Sequence, residues 1–153
     1  MKRYPLILLF IISFVACNSN RVYEEYYDFN DRTWNLDSIP SFEFSIDDTN
    51  PKDVFVNLRN SISYDYQNLY LSYQLNNEDG QELESDLINI SVFDEKTGKP
   101  FGSGNSIYEQ QHKILGNYQF PKSGNYILKI AQYMRVVDLK EIVSVGTRII
   151  NVD

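Results

Sequence analysis

The sequence predicts an all-β fold, an antiparallel β-sandwich of about seven to eight strands in one domain. Three features carry that expectation. Between residues 41 and 152, apolar and polar residues alternate at period two in a series of short stretches, the pattern of strands with one buried face. Turn residues separate these stretches, as in Asp48-Thr49-Asn50-Pro51, Asn77-Glu78-Asp79-Gly80 and Pro121-Lys122-Ser123-Gly124-Asn125. No long amphipathic helical stripe interrupts the series, so the strands must bury their apolar faces against a second sheet. The 153 residues suffice for one domain. Aromatics make up 14%, with twelve Tyr and nine Phe, the composition of a folded chain.

The amino terminus has a different character. Met1-Lys2-Arg3-Tyr4-Pro5 precedes the mostly apolar run Leu6 to Val15, and Ala16-Cys17 closes it. Cations, a short apolar run and a small residue form the layout of a secretory signal. The run is too short for a retained span, which needs roughly 20 apolar residues. Cys17, the only cysteine, stands where the run ends. That placement resembles a bacterial lipoprotein box, with Phe14 three before the cysteine where an aliphatic residue is usual. The resemblance implies cleavage before Cys17 and acyl chains on its sulfur and new amine. Residues 1–16 are therefore expected to be a lipoprotein signal peptide. Residues 17–40, polar and aromatic, are expected to be a lipidated tether that becomes ordered as its aromatics dock. Residues 41–153 are the expected β-sandwich domain.

Within that domain, Phe42, Phe44 and Ile46 alternate in 41–47, and Val54, Val56 and Leu58 in 53–60. Residues 61–67 form a polar loop containing Tyr64 and Tyr66. Leu69, Leu71, Tyr73 and Leu75 share a face in 68–75, and the Asp79-Gly80 hairpin dipeptide follows. A weak strand is expected over 81–86 and a better one over 87–94. The loop Phe101-Gly102-Ser103-Gly104 leads into an ambiguous stretch, 105–115. Tyr118 and Phe120 point to another strand, then 126–135 and 143–152. A short helix is possible only at 137–143.

Charge and composition exclude several functions. The net charge is −7, and loss of Lys2 and Arg3 with the signal makes it −9, which argues against nucleic acid as a partner. One cysteine permits no intrachain disulfide and no multi-Cys zinc site. His112 is the sole histidine, in a polar stretch where a surface or loop position is expected, and no Gly-x-Ser-x-Gly elbow exists. Gly102-Ser103-Gly104 lacks a following helix and lysine, so it reads as a turn or bulge and not a phosphate loop. The acidic pairs Glu24/Glu25, Asp47/Asp48, Glu78/Asp79 and Asp94/Glu95 lie in the tether or at strand ends, where solvated acids are ordinary. Hard oxygen ligands gather at Asp47-Asp48-Thr49-Asn50, where calcium is conceivable, but EF-hand spacing is missing. No catalytic residue, cofactor or metal site is expected. Trp34, Tyr64 and Tyr66 lie outside strict alternation and are the candidate interaction surface.

Several stretches together resemble one family. They are Arg21-Val22-Tyr23-Glu24-Glu25-Tyr26; Trp34 with Asp37-Ser38 ahead of Phe42-Glu43-Phe44; and Leu58-Arg59-Asn60 followed by Tyr66-Gln67-Asn68-Leu69-Tyr70-Leu71. They continue with Gly102 and Gly104 before Ile107-Tyr108, with 120–126 (FPKSGNY), and with Gln132-Tyr133-Met134-Arg135 before Val145-Gly146-Thr147-Arg148-Ile149. In their order and spacing these resemble the gliding-motility lipoproteins of the GldH family from Bacteroidetes. The resemblance implies a lipid-anchored envelope protein of the gliding apparatus, which is linked to type IX secretion, and an outer-membrane location is expected. Its membrane contact would be through acyl chains on Cys17, and its partners would be proteins of that apparatus. It implies no enzymatic activity. Asn18-Ser19-Asn20-Arg21, with no acid after the cysteine, points to the periplasmic face. The aromatic-rich sandwich leaves a second expectation open, a carbohydrate-binding or polysaccharide-handling envelope lipoprotein.

Overall fold

A computed structural model describes residues 20–152. The expected signal peptide, Cys17 and the residues up to 19 lie outside the described residues. The fold is all-β and antiparallel. Strand β1 spans Arg21–Asp28, and a 3-10 turn, Asn30–Arg32, leads to β2, Thr33–Asn35. There follow β3 (Ser41–Ile46), β4 (Lys52–Ser61), β5 (Asn68–Asn77), β6 (Glu82–Ser91), β7 (Ser103–Gly104) and β8 (Ile107–Tyr118). Strands β9 (Gly124–Gln132), β10 (Asp138–Lys140) and β11 (Ile142–Asn151) complete the chain. One sheet has the order β1-β11-β4-β8-β7, the other β3-β9-β5-β6, and β10-β2 forms a separate ribbon.

The alternation read from the sequence is the alternation of burial. In β3, Phe42, Phe44 and Ile46 are buried and their neighbours exposed. Val54, Val56 and Leu58 of β4 face Leu69, Leu71 and Leu75 of β5 across one continuous core. Aromatic contacts join the sheets: the Tyr23 ring of β1 lies 5.5 Å from that of Phe44.

Four local expectations are corrected. The segments 81–86 and 87–94 are one strand, β6, whose first half carries Glu82, Glu84 and Asp86. Glu84 pairs with Leu75 and Asp86 with Tyr73, both buried. The two acids therefore stand on the core-side row of an edge strand, where inward charge discourages pairing with another chain and obscures the apolar alternation. The ambiguous 105–115 is β8, which continues to Tyr118. His112 is thus a half-buried strand residue and not a loop one. The stretch 137–143 is not helical: β10 pairs with β2, Glu141 turns the chain at φ 65°, and β11 begins. Finally, within the segment expected as tether, Arg21–Asp28 is hydrogen-bonded along β11 as the edge strand β1. Its docking is by main-chain pairing as well as by aromatic packing.

Gly146 makes that pairing close. A Cβ there would lie 2.6 Å from the Glu25 carbonyl oxygen and 2.7 Å from the Tyr26 ring. Gly146→Ala is therefore expected to push β1 off β11, at a cost of about 1–3 kcal/mol. Hydrogen exchange should rise first at the β1 amides; unchanged β1 protection would contradict this packing.

The strand directions define two ends. Arg21, the 47–51 turn, Asn77, Gly124 and Asn151 share one end. Asp28, Ser61, Asn68, Gln132 and the β10-β2 ribbon share the other. Ten-residue strands separate the ends by about 30 Å.

Candidate functional site

At the end remote from Arg21, the four-stranded sheet carries a groove of about 630 Å³. Tyr66, Tyr70, Leu87, Tyr133, Met134 and Arg135 line it. Tyr70 occupies the outward row of β5, between the core-facing Leu69 and Leu71. Tyr133 follows β9, where the chain leaves the sheet. Its N–H donates to the Tyr70 carbonyl at 2.8 Å, which sets the two tyrosines side by side. The Gln132 side chain, 1% exposed, braces this wall. Its amide donates to the Val136 carbonyl at 3.0 Å and its oxygen accepts from the Met134 N–H at 2.8 Å. Tyr66 packs edge-on against Tyr64 at 5.6 Å between ring centres. The groove is thus shaped by buried hydrogen bonds while its rings stay open: Tyr66 and Tyr70 are each 39% exposed and Tyr133 64%.

Of the three aromatic residues singled out from the sequence, only Tyr66 belongs to this surface. Trp34 is fully buried, stacked on Phe29 at 4.8 Å, with its indole N–H donating to the Ser38 carbonyl at 2.8 Å. Tyr64 is 4% exposed and its hydroxyl donates to the Asn68 carbonyl. Both break local alternation because they plug the end of the core, where the chain is turning. The sequence left Tyr70 and Tyr133 unsingled. Their signal was an aromatic at an outward position of a strand.

At least one member of each acidic pair is engaged elsewhere. The Lys52 ammonium, buried, donates to Asp48 at 2.8 Å and to Asn151 at 3.1 Å. A cation of the protein's own therefore occupies the loop where calcium was conceivable. Glu78 pairs with Lys122, and Asp94 caps the turn through Thr97. Glu24 bonds Arg21, and Glu25 accepts from Tyr23. Among the described residues, no three His, Cys, Asp or Glu side chains gather around a common point. Gly102, at φ 86°, lies so close to β8 that a Cβ would come 2.2 Å from the Glu109 carbonyl, so the loop is a tight backbone approach.

On the outer face of the five-stranded sheet, Glu109 accepts from Arg59 at 2.8 Å and from Tyr26 at 2.9 Å. The Arg59 guanidinium lies 4.0 Å from the Tyr26 ring centre. Burial, then the bond to Glu109, pushes the Tyr26 phenol up to about 12. Burial raises the Glu109 carboxyl, but Arg59 and Tyr26 outweigh it and hold it low. Burial also lowers His112. Each group has its partner, so this network fastens β1 and β8 to β4.

Asp53 has the same character. Its pairing with Lys113, and then the Asn117 N–H at 2.9 Å, hold its carboxyl below the usual 3.8. A carboxyl lowered by folding stabilises fully above its unfolded value and loses that contribution as pH falls through the folded one. Asp53→Asn should therefore lower the urea midpoint at pH 7, and the difference from wild type should shrink towards pH 3. A constant difference at both pH values would show that the charge is not responsible.

A family model described as GldH lipoprotein matches residues 21–149. The chain belongs to the GldH lipoprotein family. It is 33% identical over 148 residues to the gliding motility lipoprotein GldH homolog of Christiangramia forsetii, spanning 91% of this chain and 89% of that one. To the gliding motility lipoprotein GldH of Flavobacterium johnsoniae it is 27% identical over 160 residues, 97% and 96% of the two chains. The family resemblance read from the sequence is therefore shown, and the family is not a known enzyme class. Among solved structures, the VP2 subviral particle of infectious bursal disease virus matches with a TM-score of 0.46 and 13% identity. That match covers 88% of this chain and a third of the viral one (33%), and carries no functional argument.

Proposed function

We propose that the protein is an outer-membrane lipoprotein that supports gliding motility and the associated type IX secretion machinery through protein contacts, without catalysis. The carrying observation is the family match over 21–149, which begins just after the sole cysteine. With residues 1–16 removed and Cys17 acylated, four residue steps separate the anchor from Arg21, at most about 14 Å of chain. The end of the sandwich at Arg21 then lies against the bilayer and the tyrosine groove about 30 Å from it. The absence of acids after Cys17 favours the periplasmic face. Deletion of the gene is expected to abolish surface spreading and reduce secretion through the same machinery; normal spreading and secretion would refute this. Pulldown of the anchored protein from its native membrane should recover components of the apparatus, and protease shaving of whole cells should leave it intact.

One observation favours a second reading, an envelope lipoprotein that handles saccharide. The exposed aromatic platform that such binding requires exists, formed by Tyr66, Tyr70 and Tyr133. Sugar rings stack on such faces through their C–H surfaces, and phenol hydroxyls bond their edges.

A further inference from the structure

We propose that the Tyr66–Tyr70–Tyr133 groove takes an acidic saccharide, with Arg135 binding its carboxylate. This rests on the saccharide-handling reading and adds the ligand's charge and the residue that reads it.

Four observations lead there. First, Arg135 is the only charged side chain among the groove's lining residues, in a protein with a net charge of −7. Second, it is exposed and makes no ion pair among the described residues, whereas Arg21, Arg32 and Arg59 each face a glutamate and Arg148, also without an ion pair, is half-buried. A guanidinium presents a planar fork of donors suited to a carboxylate. Third, the hydroxyls of Tyr66, Tyr70 and Tyr133 have no hydrogen-bond partner among the described residues. Those of Tyr26, Tyr64 and Tyr126 are bonded within the protein. The groove thus combines open ring faces with free polar edges. Fourth, the trough continues along the outer face of the sheet past Ser72 and Ser85 to Lys129, a second cation with no ion pair among the described residues. Two carboxylates line that extension among the described residues: Glu82 accepts from Ser85 and Gln74, and Asp86 accepts from the Leu87 N–H.

The groove's volume falls within the ~300–1,000 Å³ range of small-ligand sites. Its wall is held by the buried Gln132, so little ordering is left for binding.

The test uses the full-length acylated protein in lipid nanodiscs. Short oligomers of galacturonate, glucuronate and mannuronate are titrated calorimetrically, each beside its neutral methyl ester. At least one acidic oligomer is expected to bind about ten-fold or more tightly than its ester, with affinity falling as salt rises. Arg135→Gln should bring the acid down to the ester's affinity, while Tyr133→Ala should weaken both. Both side chains are exposed, and unchanged thermal unfolding of the variants confirms an intact fold. Equal binding of acid and ester, or an Arg135→Gln variant that binds acid as wild type does, would overturn the proposal and leave the saccharide reading standing. No binding of any oligomer in either form would overturn both.

Discussion

Cys17→Ala is expected to release the protein from the membrane fraction. The proposed anchor consists of acyl chains on that one residue. Each buried methylene contributes about 0.8 kcal/mol, one chain gives only marginal binding, and two or three hold effectively permanently. Among the described residues no helix is long and apolar enough to cross a bilayer. The mature variant should accumulate in soluble fractions. The wild-type mature chain should exceed the mass of residues 17–153 by its acyl groups. The sandwich itself should survive, because β1 begins only at Arg21 and its hydrogen bonds run to β11. A wild-type protein with the bare polypeptide mass, found free of the envelope, would remove the anchor and with it the orientation proposed for the groove.

The second large effect concerns Trp34. Trp34→Ala is expected to cost about 3–5 kcal/mol, lowering Tm by roughly 10 °C or more for a domain of this size. The indole is fully buried, stacks on Phe29 and bonds the Ser38 carbonyl, and it joins β2 to Leu139 of β10. Tyr66→Ala, at an exposed ring, should cost under about 1 kcal/mol. Equal, small losses at both positions would mean that Trp34 is a surface residue after all.

These two residues show how far the sequence could be read. Period two located β3, β4, β5 and β9 because each sets apolar residues against polar ones on a single pleated surface. It failed where an element's partners, and not its own pattern, decide its state. The first half of β6 puts acids on its core-side row at an open edge. Strand β10 is three residues long and exists because β2 lies opposite. Strand β1, read as a docking segment, is ordered by hydrogen bonds to residues more than a hundred positions away. The groove was legible only through Tyr66. Tyr70 lies on β5 and Tyr133 just past β9, and the pairing of those two strands, continued by one backbone hydrogen bond, brings them together.

The sequence by itself determined the strand-rich class, the family, the expectation of an acylated Cys17, and the presence of a single histidine and a single cysteine. These depend on residue type and on local spacing, which a chain carries before it folds. Only the tertiary structure decided which aromatics are core and which are surface, that Lys52 occupies the acidic loop, and that an unpaired arginine stands beside three open tyrosines. Burial and charge pairing are set by side chains distant in the chain, and those neighbours are chosen when two sheets close over one core.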